Sequence, residues 1–195
     1  EYLYIAICGN WLVEKRKLSD LSLVKSHVIK IDGNPTDIEV NPVTGQIWVF
    51  GKEYGPELEE KRWIIEILDK NLEEVKSISI TGRTGGYPSL TFDEKGNAYL
   101  VSGSYIMKYS KSGRFIKEVN YGSKYDFRKI LYIGDKLYVA TLKEGKHYLV
   151  VLDKTLKKVY EVSLGGTSGY FPIGGMACDG VNLYIAGNNI ITKED

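Results

Sequence analysis

Two acidic side chains on one short segment are the residues that most readily suggest chemistry. Asp37 and Glu39 alternate with the apolar Ile38 and Val40, so on a β-strand both carboxylates point to the same side. Carboxylate oxygens suit a divalent cation, but such a site needs several oxygen ligands from different strands. Since the sequence offers no clear fourth carboxylate, we interpret both residues as solvated acids and expect neither a metal nor another cofactor.

The sequence contains two histidines, and neither stands where acid–base catalysis would need it. His27 lies in a strand-like segment among lysines, and His147 opens another strand beside the charged residues 143–146. A lyase or a Ser-His-Asp hydrolase would place a histidine beside its substrate. We therefore interpret both as exposed strand histidines, which favours a protein without enzymatic activity.

Two glycine-rich segments invite comparison with phosphate-binding loops. Residues 82–86 read GRTGG, and residues 165–169 read GGTSG. Neither is followed by Lys-Ser/Thr or by a helical pattern, so the Walker and dinucleotide-binding motifs are excluded. We interpret both segments as flexible loops. Arg83, Tyr87 and Tyr170 stand in or beside them and predict an aromatic, weakly basic mouth for a ligand.

Composition indicates a globular all-β protein. The chain has 195 residues, of which 43% are hydrophobic, and its formal net charge is +1. That balance leaves no bulk charge to hold nucleic acid, and apolar runs of about six residues are too short to span a bilayer. We expect no nucleic-acid partner and no membrane span. Abundant tyrosine and glycine without a long helical pattern favour strands.

A short pattern recurs along the chain at intervals of about 45 residues. In most copies a turn precedes a small or apolar residue, an aromatic residue, and then a β-branched residue or Leu. The aromatic positions are Tyr4, Trp48, Tyr99, Tyr138 and Tyr184. Because they recur with the repeat, we interpret them as core residues between repeats and not as a stacking ladder for sugars or bases.

Each complete repeat divides into four short strands joined by polar turns. In the third repeat these strands cover residues 90–92, 97–100, 105–109 and 115–119. Four strands per 40–50 residues predict a β-propeller, in which four-stranded antiparallel sheets bury both faces against their neighbours. A β-sandwich does not predict a quartet at this period. We expect almost no helix, with residues 56–61 as the one candidate helical turn.

The repeats are incomplete at both ends of the chain. The first starts at its second strand, and the last holds an inner strand, a second strand and at most a third. We therefore expect a single β-propeller domain over residues 1–195, with about four to five blade units. A closed five-unit ring, a four-blade ring and part of a larger propeller all stay open. The start inside a strand, without Met, suggests a processed or truncated chain.

Cys8 and Cys178 stand near opposite ends of the chain and belong to no CxxC motif, which excludes zinc-finger and thioredoxin-type sites. If the chain closes on itself, their Cα atoms should lie within about 12 Å, which loosely brackets bridgeable geometry. We interpret both as buried, reduced cysteines that pack as small apolar residues.

Alternation along each inner strand predicts which side chains reach a central channel. If Ile38 and Val40 pack between blades, the channel residues are Asp37, Glu39, Ser89, Thr91, Ile130, Tyr132, Gly175 and Ala177. The candidate ligand-binding residues are thus Asp37, Glu39, Thr91 and Tyr132 in the channel, with Arg83, Tyr87 and Tyr170 at its mouth. Lysine-rich outer segments, 15–17 and 154–158, are expected to be solvated edges.

Residues 87–101 (YPSLTFDEKGNAYLV) and 106–115 (IMKYSKSGRF) resemble an NHL-type propeller repeat. The shared pattern is a proline, an inner strand ending in Asp, a Gly-Asn turn, an aromatic-containing strand, a Lys-aromatic strand and a Gly turn. Residues 35–49 and 172–185 resemble it more loosely. The resemblance implies a propeller of six or fewer blades. The superfamily it points to includes protein-interaction propellers, gluconolactonase-class metal-dependent lactonases and virginiamycin B lyase-like enzymes.

Together these observations predict a non-enzymatic binding scaffold that holds a protein or a small ligand at a loop face. Two alternatives stay open. A lactonase-like hydrolase or lyase would use the central channel and would need a metal or several converging polar groups there. A structural fragment of a longer multidomain or extracellular protein would explain the incomplete first and last repeats.

Overall fold

The computed structural model describes residues 1–30, 33–53, 62–82, 87–165, 174–187 and 190–194. Within these ranges the chain forms eighteen β-strands and no helix. The predicted near absence of helix is therefore confirmed for this part of the chain, and the candidate turn at 56–61 lies outside it. In the same ranges, no helix is long and apolar enough to cross a membrane.

The chain divides into two compact units, of which the first comprises residues 1–84 with 94–96 and 111–113. It contains two antiparallel sheets. The first sheet holds β1 (Tyr2–Ile7), β2 (Leu12–Lys17) and β3 (Leu23–Val28). The second holds β4 (Gly33–Val40), β5 (Ile47–Glu53), β6 (Arg62–Leu68) and β7 (Glu74–Ile80).

The second unit comprises residues 85–93, 97–110 and 114–195 and contains three antiparallel sheets. The third sheet holds β8 (Ser89–Phe92), β9 (Ala98–Ser102), β10 (Tyr105–Tyr109) and β11 (Phe115–Asn120). The fourth holds β12 (Tyr125–Ile133), β13 (Lys136–Lys143), β14 (Lys146–Asp153) and β15 (Lys158–Gly165). The fifth holds β16 (Gly175–Cys178), β17 (Leu183–Gly187) and β18 (Ile190–Glu194). The predicted strand quartets, and the three-stranded units at both ends, are confirmed.

Apolar side chains fill the space between successive sheets of each unit. In the first unit, Val13 and Ile29 of the first sheet meet Ile47, Val49 and Leu68 of the second. In the second unit, one core joins the third and fourth sheets and another joins the fourth and fifth. The fourth sheet therefore buries both of its faces, which is how radially stacked sheets solve the problem of having two apolar surfaces.

The recurring aromatic residues occupy these cores with one exception. Trp48 and Tyr99 are fully buried, and Tyr4 and Tyr138 pack against cores while partly exposed. Tyr184 is 41% exposed, so the core prediction is wrong at this position. Two of the tyrosines also fasten the preceding turn. The Tyr99 hydroxyl donates to Asp93 at 3.2 Å, and that of Tyr184 donates to Asp179 at 2.7 Å.

Lysines in the outer segments form hydrogen bonds and ion pairs that the sequence analysis did not predict. Lys15 is only 8% exposed, and its Nζ donates to the backbone oxygen of Lys70 on the neighbouring sheet at 2.8 Å. Lys154 pairs with Asp135 at 2.6 Å, and Lys158 pairs with a glutamate of its own strand. The expectation of simple solvated edges is wrong for Lys15 and Lys154, because their long side chains reach partners on neighbouring segments, whereas Lys158 is exposed as expected.

The two cysteines are both free thiols. Cys8 is exposed, so its predicted burial is wrong, whereas Cys178 is half-buried and its Sγ accepts the backbone N–H of Gly180 at 3.2 Å. The expected closeness of the two residues stays a prediction.

Candidate functional site

The acidic pair singled out by the sequence lies on β4 in the first unit. Asp37 is half-buried and its Oδ1 accepts the backbone N–H of Ile38 at 3.1 Å, while Glu39 is exposed. Ile38 packs against the core between the first two sheets, but Val40 is 42% exposed, so the expectation that it packs between blades is wrong. Within the described ranges, no group of three or more His, Cys, Asp or Glu is placed to hold a metal ion.

The expectation that Ile130 and Tyr132 face a channel is also wrong. Both side chains pack into the core that contains Tyr99, whereas the intervening Leu131 and the following Ile133 pack into the core on the opposite face. Because neighbouring sheets cover both faces, alternation along β12 separates two buried interfaces and does not separate a channel from an interface.

Thr91, the channel candidate on β8, is buried as well. Its Oγ1 accepts the backbone N–H of Tyr132 at 3.3 Å, which joins the third sheet to the fourth. Two residues of the predicted site therefore meet, in a contact that holds sheets together. The ligand-binding role of Asp37, Glu39, Thr91 and Tyr132 stays a prediction.

Of the three residues predicted at the mouth, the structure describes Tyr87, while Arg83 and Tyr170 lie outside the described residues. Tyr87 comes just before β8 and is 58% exposed. The guanidinium carbon of Arg128 lies 5.5 Å from the centre of its ring, within range of a cation–π contact. The ligand-binding mouth predicted from Arg83, Tyr87 and Tyr170 stays a prediction, and the structure adds Arg128 as a neighbour of Tyr87.

A β-bulge positions Arg128. The pairing of β12 with β13 shifts register between Phe127 and Lys129, which leaves Arg128 as the extra residue. Such bulges re-aim a side chain and recur next to functional sites. The Nη2 of Arg128 forms an ion pair with the carboxylate of Asp126, and both side chains are partly buried.

His147 lies on the same sheet face as Asp126. Asp126 pairs with Leu142 on β13, and Leu142 pairs with His147 on β14, so the three residues form one row across three strands. Directly paired residues share a face, which places His147 about 10 Å from Asp126, two strand spacings away. His147 is only 6% exposed, so the expectation of an exposed histidine is wrong.

Three polar atoms in this region are buried without a hydrogen-bond partner among the residues that the structure describes: Asp126 Oδ1, Arg128 Nε and His147 Nδ1. Buried polar groups are paired in the great majority of cases, so each exception calls for an explanation such as a bound water, ion or ligand. We call Tyr87, Asp126, Arg128 and His147 the Arg128 cluster.

Burial shifts both titratable groups of the Arg128 cluster toward neutrality. It raises the pKa of Asp126, an effect that the adjacent Arg128 opposes. For His147, burial lowers the pKa below its usual 6.5, and the positive charge of Arg128 lowers it further. The imidazole is therefore neutral at pH 7 and offers one donor nitrogen and one acceptor nitrogen.

A second buried polar contact lies in the first unit and joins its two sheets. Glu66 is fully buried on β6, and its Oε1 lies 2.7 Å from the Nε2 of His27 on β3. Its Oε2 accepts the backbone N–H of Lys30 at 2.8 Å. The expectation of an exposed His27 is wrong, because Glu66 on the next sheet engages its ring. Both carboxylate oxygens have partners, which indicates a structural link.

Comparison with known proteins identifies the fold of the chain. No family model matches the chain, and no curated protein matches it either. The Pan2 WD40 domain of Neurospora crassa matches with a TM-score of 0.68 and 13% identity, over 95% of this chain and 52% of that one. The fold is a β-propeller. A protein of unknown function from Bacteroides caccae matches with a TM-score of 0.49 and 12% identity, over 94% of this chain and 81% of that one.

The chain thus spans about half the length of the Pan2 WD40 domain, and at this identity the likeness shows the propeller fold alone. Of the Arg128 cluster, sequence reasoning proposed Tyr87 as a candidate, interpreted His147 as an exposed histidine and did not consider Asp126 or Arg128. A signal for the bulge was present. Apolar or aromatic residues occupy the odd positions 125 and 127 and then the even positions 130 and 132. This shift from odd to even positions indicates one extra residue between the two pairs.

Proposed function

We propose that the chain is a non-enzymatic β-propeller binding module that engages a protein partner at the Arg128 cluster. The observation that carries this proposal is the exposed Tyr87 ring over Arg128, beside buried polar atoms without described partners. Tyrosine and arginine are enriched at the energetic centres of protein interfaces. An exposed aromatic face next to hydrogen-bonding groups without described partners is therefore well suited to a peptide segment.

The strands that carry the cluster support the same function. Asp126 and Arg128 sit on the edge strand β12 and His147 on the interior strand β14 of the fourth sheet, which is packed on both faces. Side chains fixed on a packed sheet lose little freedom on binding, so less of the interaction energy is lost to ordering.

The fold also favours this function, since propellers of the WD40 kind commonly act as protein-binding scaffolds. Fold alone does not specify a partner. On the residues 87–101 and 106–115 we further infer that the repeats are of the NHL type, which likewise includes protein-interaction propellers.

A displayed library of unstructured peptides, selected on the intact chain, tests the proposal. We expect enriched peptides to bind about tenfold more weakly to Arg128→Met and to Tyr87→Ala, because each substitution removes a contact worth about 1.4 kcal/mol. Arg114→Met is the matched control, since Arg114 is exposed on the turn before β11. Peptides that bind the wild type and both cluster variants equally would refute the proposed site, as would failure to enrich any peptide.

A further inference from the structure

Three atoms of the Arg128 cluster have hydrogen-bonding capacity that no described residue uses. The Nε of Arg128 can only donate, the Oδ1 of Asp126 accepts, and the Nδ1 of a neutral His147 does either according to its tautomer. Leaving such a buried group unpaired costs about 1–3 kcal/mol. A ligand that supplies the missing partners would recover that cost.

Charge restricts the kind of ligand that fits. Arg128 and Asp126 already form an ion pair, and burial keeps the His147 ring neutral at pH 7. An anion that approached Arg128 would also face Asp126, and a cation that approached Asp126 would also face Arg128. Either charged ligand would in addition lose its hydration on entering a partly buried site. A neutral group with one donor and one acceptor avoids both costs.

Building on the proposed binding function, we propose that the Arg128 cluster recognises an amide group of the partner. The amide carbonyl accepts the Nε–H of Arg128, and an amide N–H donates to Asp126 Oδ1 or to His147 Nδ1. The row from Asp126 to His147 is about 10 Å long, which an extended segment of about three residues spans at 3.3 Å per residue. Main-chain amides and the carboxamides of Asn or Gln share this chemistry.

The ring of Tyr87 covers the guanidinium of Arg128 and lies on the path of a ligand to it. Since the three polar atoms of the cluster are buried, an incoming amide reaches them after the ring moves off the guanidinium that it covers. A ring that is more than half exposed rotates at little cost. Tyr87 can then pack its face against the bound segment.

Nitrogen-15 NMR of the intact chain tests the proposal through the Arg128 Nε–H and His147 imidazole signals. These are assigned by their loss in Arg128→Met and His147→Phe. N-acetylglycine N-methylamide supplies main-chain amides, propionamide a primary carboxamide, sodium acetate an anion and methylammonium chloride a cation. We expect an amide to shift both signals saturably with an affinity of about 1 mM, and the charged probes to bind about tenfold more weakly. Whichever amide binds more tightly identifies the source.

Loss of response in a variant must be separated from loss of structure. Asp126→Asn keeps the size of the side chain and serves as a second variant, with its melting temperature measured alongside. We expect it to weaken the amide response while the chain stays folded. Tighter binding of acetate, or no saturation by either amide, would overturn the proposal. So would a His147 Nδ1 that is already hydrogen-bonded in the unliganded protein.

The two proposals fail in different ways. If selected peptides depend on Arg128 but neither amide probe shifts its Nε–H signal, the amide assignment falls and the binding module stands. If the amide probes bind but no peptide does, the site exists and its assignment to a protein partner is wrong.

Discussion

At the scale of single residues, tyrosine–lysine pairs connect neighbouring sheets. Tyr4 pairs with Lys15 across β1 and β2, and both side chains donate to the backbone oxygen of Lys70. Tyr99 pairs with Lys108 across β9 and β10; Lys108 donates to the backbone oxygen of Lys154, which lies 3.4 Å from the Tyr99 hydroxyl oxygen. In each case the accepting oxygen lies in the turn between the third and fourth strands of the next sheet, so the aromatic repeat also encodes how sheets dock.

Removing the buried lysine of the first pair should destabilise the fold. Lys15→Met keeps the apolar stem but removes a charged donor to Lys70 O, and bonds to charged groups contribute about 1.5–3 kcal/mol. We expect a loss of that size in the free energy of urea unfolding. Lys17→Met, on the exposed end of the same strand, is the control and should change it by less than about 0.5 kcal/mol. Equal effects of the two substitutions would contradict the account.

Glu161 supplies a pH-dependent contribution to stability. Burial alone would raise its pKa, but hydrogen bonds from Lys143, Tyr125 and Lys158 lower it from 4.5 to about 2. Since the pKa is depressed in the folded state, the stabilisation is complete above about pH 4.5 and is lost as the pH falls toward 2. Glu161→Gln should therefore flatten the dependence of unfolding free energy on pH in this window. If the unfolding free energies of the wild type and of Glu161→Gln changed in parallel with pH, this contribution of Glu161 would be contradicted.

At the scale of elements, the turn between the third and fourth strands repeats in detail. In the three-stranded first sheet the corresponding turn joins β2 and β3. At this turn and at those of the next three sheets the strand pairing shifts register, and a residue with positive φ lies in the turn: Leu21, Leu72, Gly113 and Leu156. This is a hairpin with a bulge at a left-handed residue. Leu72 and Leu156 bury their side chains at this position, while a Cβ on Gly113 would crowd its neighbours.

Replacing Gly113 by alanine should destabilise the fold, because the positive φ at this position already disfavours a residue with a Cβ atom. A Cβ there would lie 3.0 Å from the δ-carbons of Ile67 and Ile78, in addition to the strain of φ +71°. Gly45→Ala is the matched control, because φ is +68° and nothing lies within 4 Å of the added carbon. We expect Gly113→Ala to lower the melting temperature more, with crowding adding about 1–3 kcal/mol to the shared strain. Equal decreases in the melting temperatures of the two variants would show that crowding against Ile67 and Ile78 adds nothing to the strain.

At the scale of the whole molecule, the repeat pattern predicted the sheets but not the site. Four strands per repeat could be found because turns and alternation are local properties, as for residues 90–119. The inner strand β12 starts at Tyr125, before the predicted channel residues Ile130 and Tyr132, and the bulge at Arg128 interrupts its alternation. The row from Asp126 to His147 crosses three consecutive strands, and it becomes visible only when the register of all three is known.

The account's central claim is that a partner binds at the Arg128 cluster. Amide hydrogen exchange of the intact chain, with and without a selected peptide, tests it most directly because it maps the bound surface without mutation. We predict slower exchange in residues 125–129 and 146–148 when the peptide is bound, and unchanged exchange in the first sheet. Protection confined to residues 1–30, with none at 125–129 or 146–148, would contradict the account.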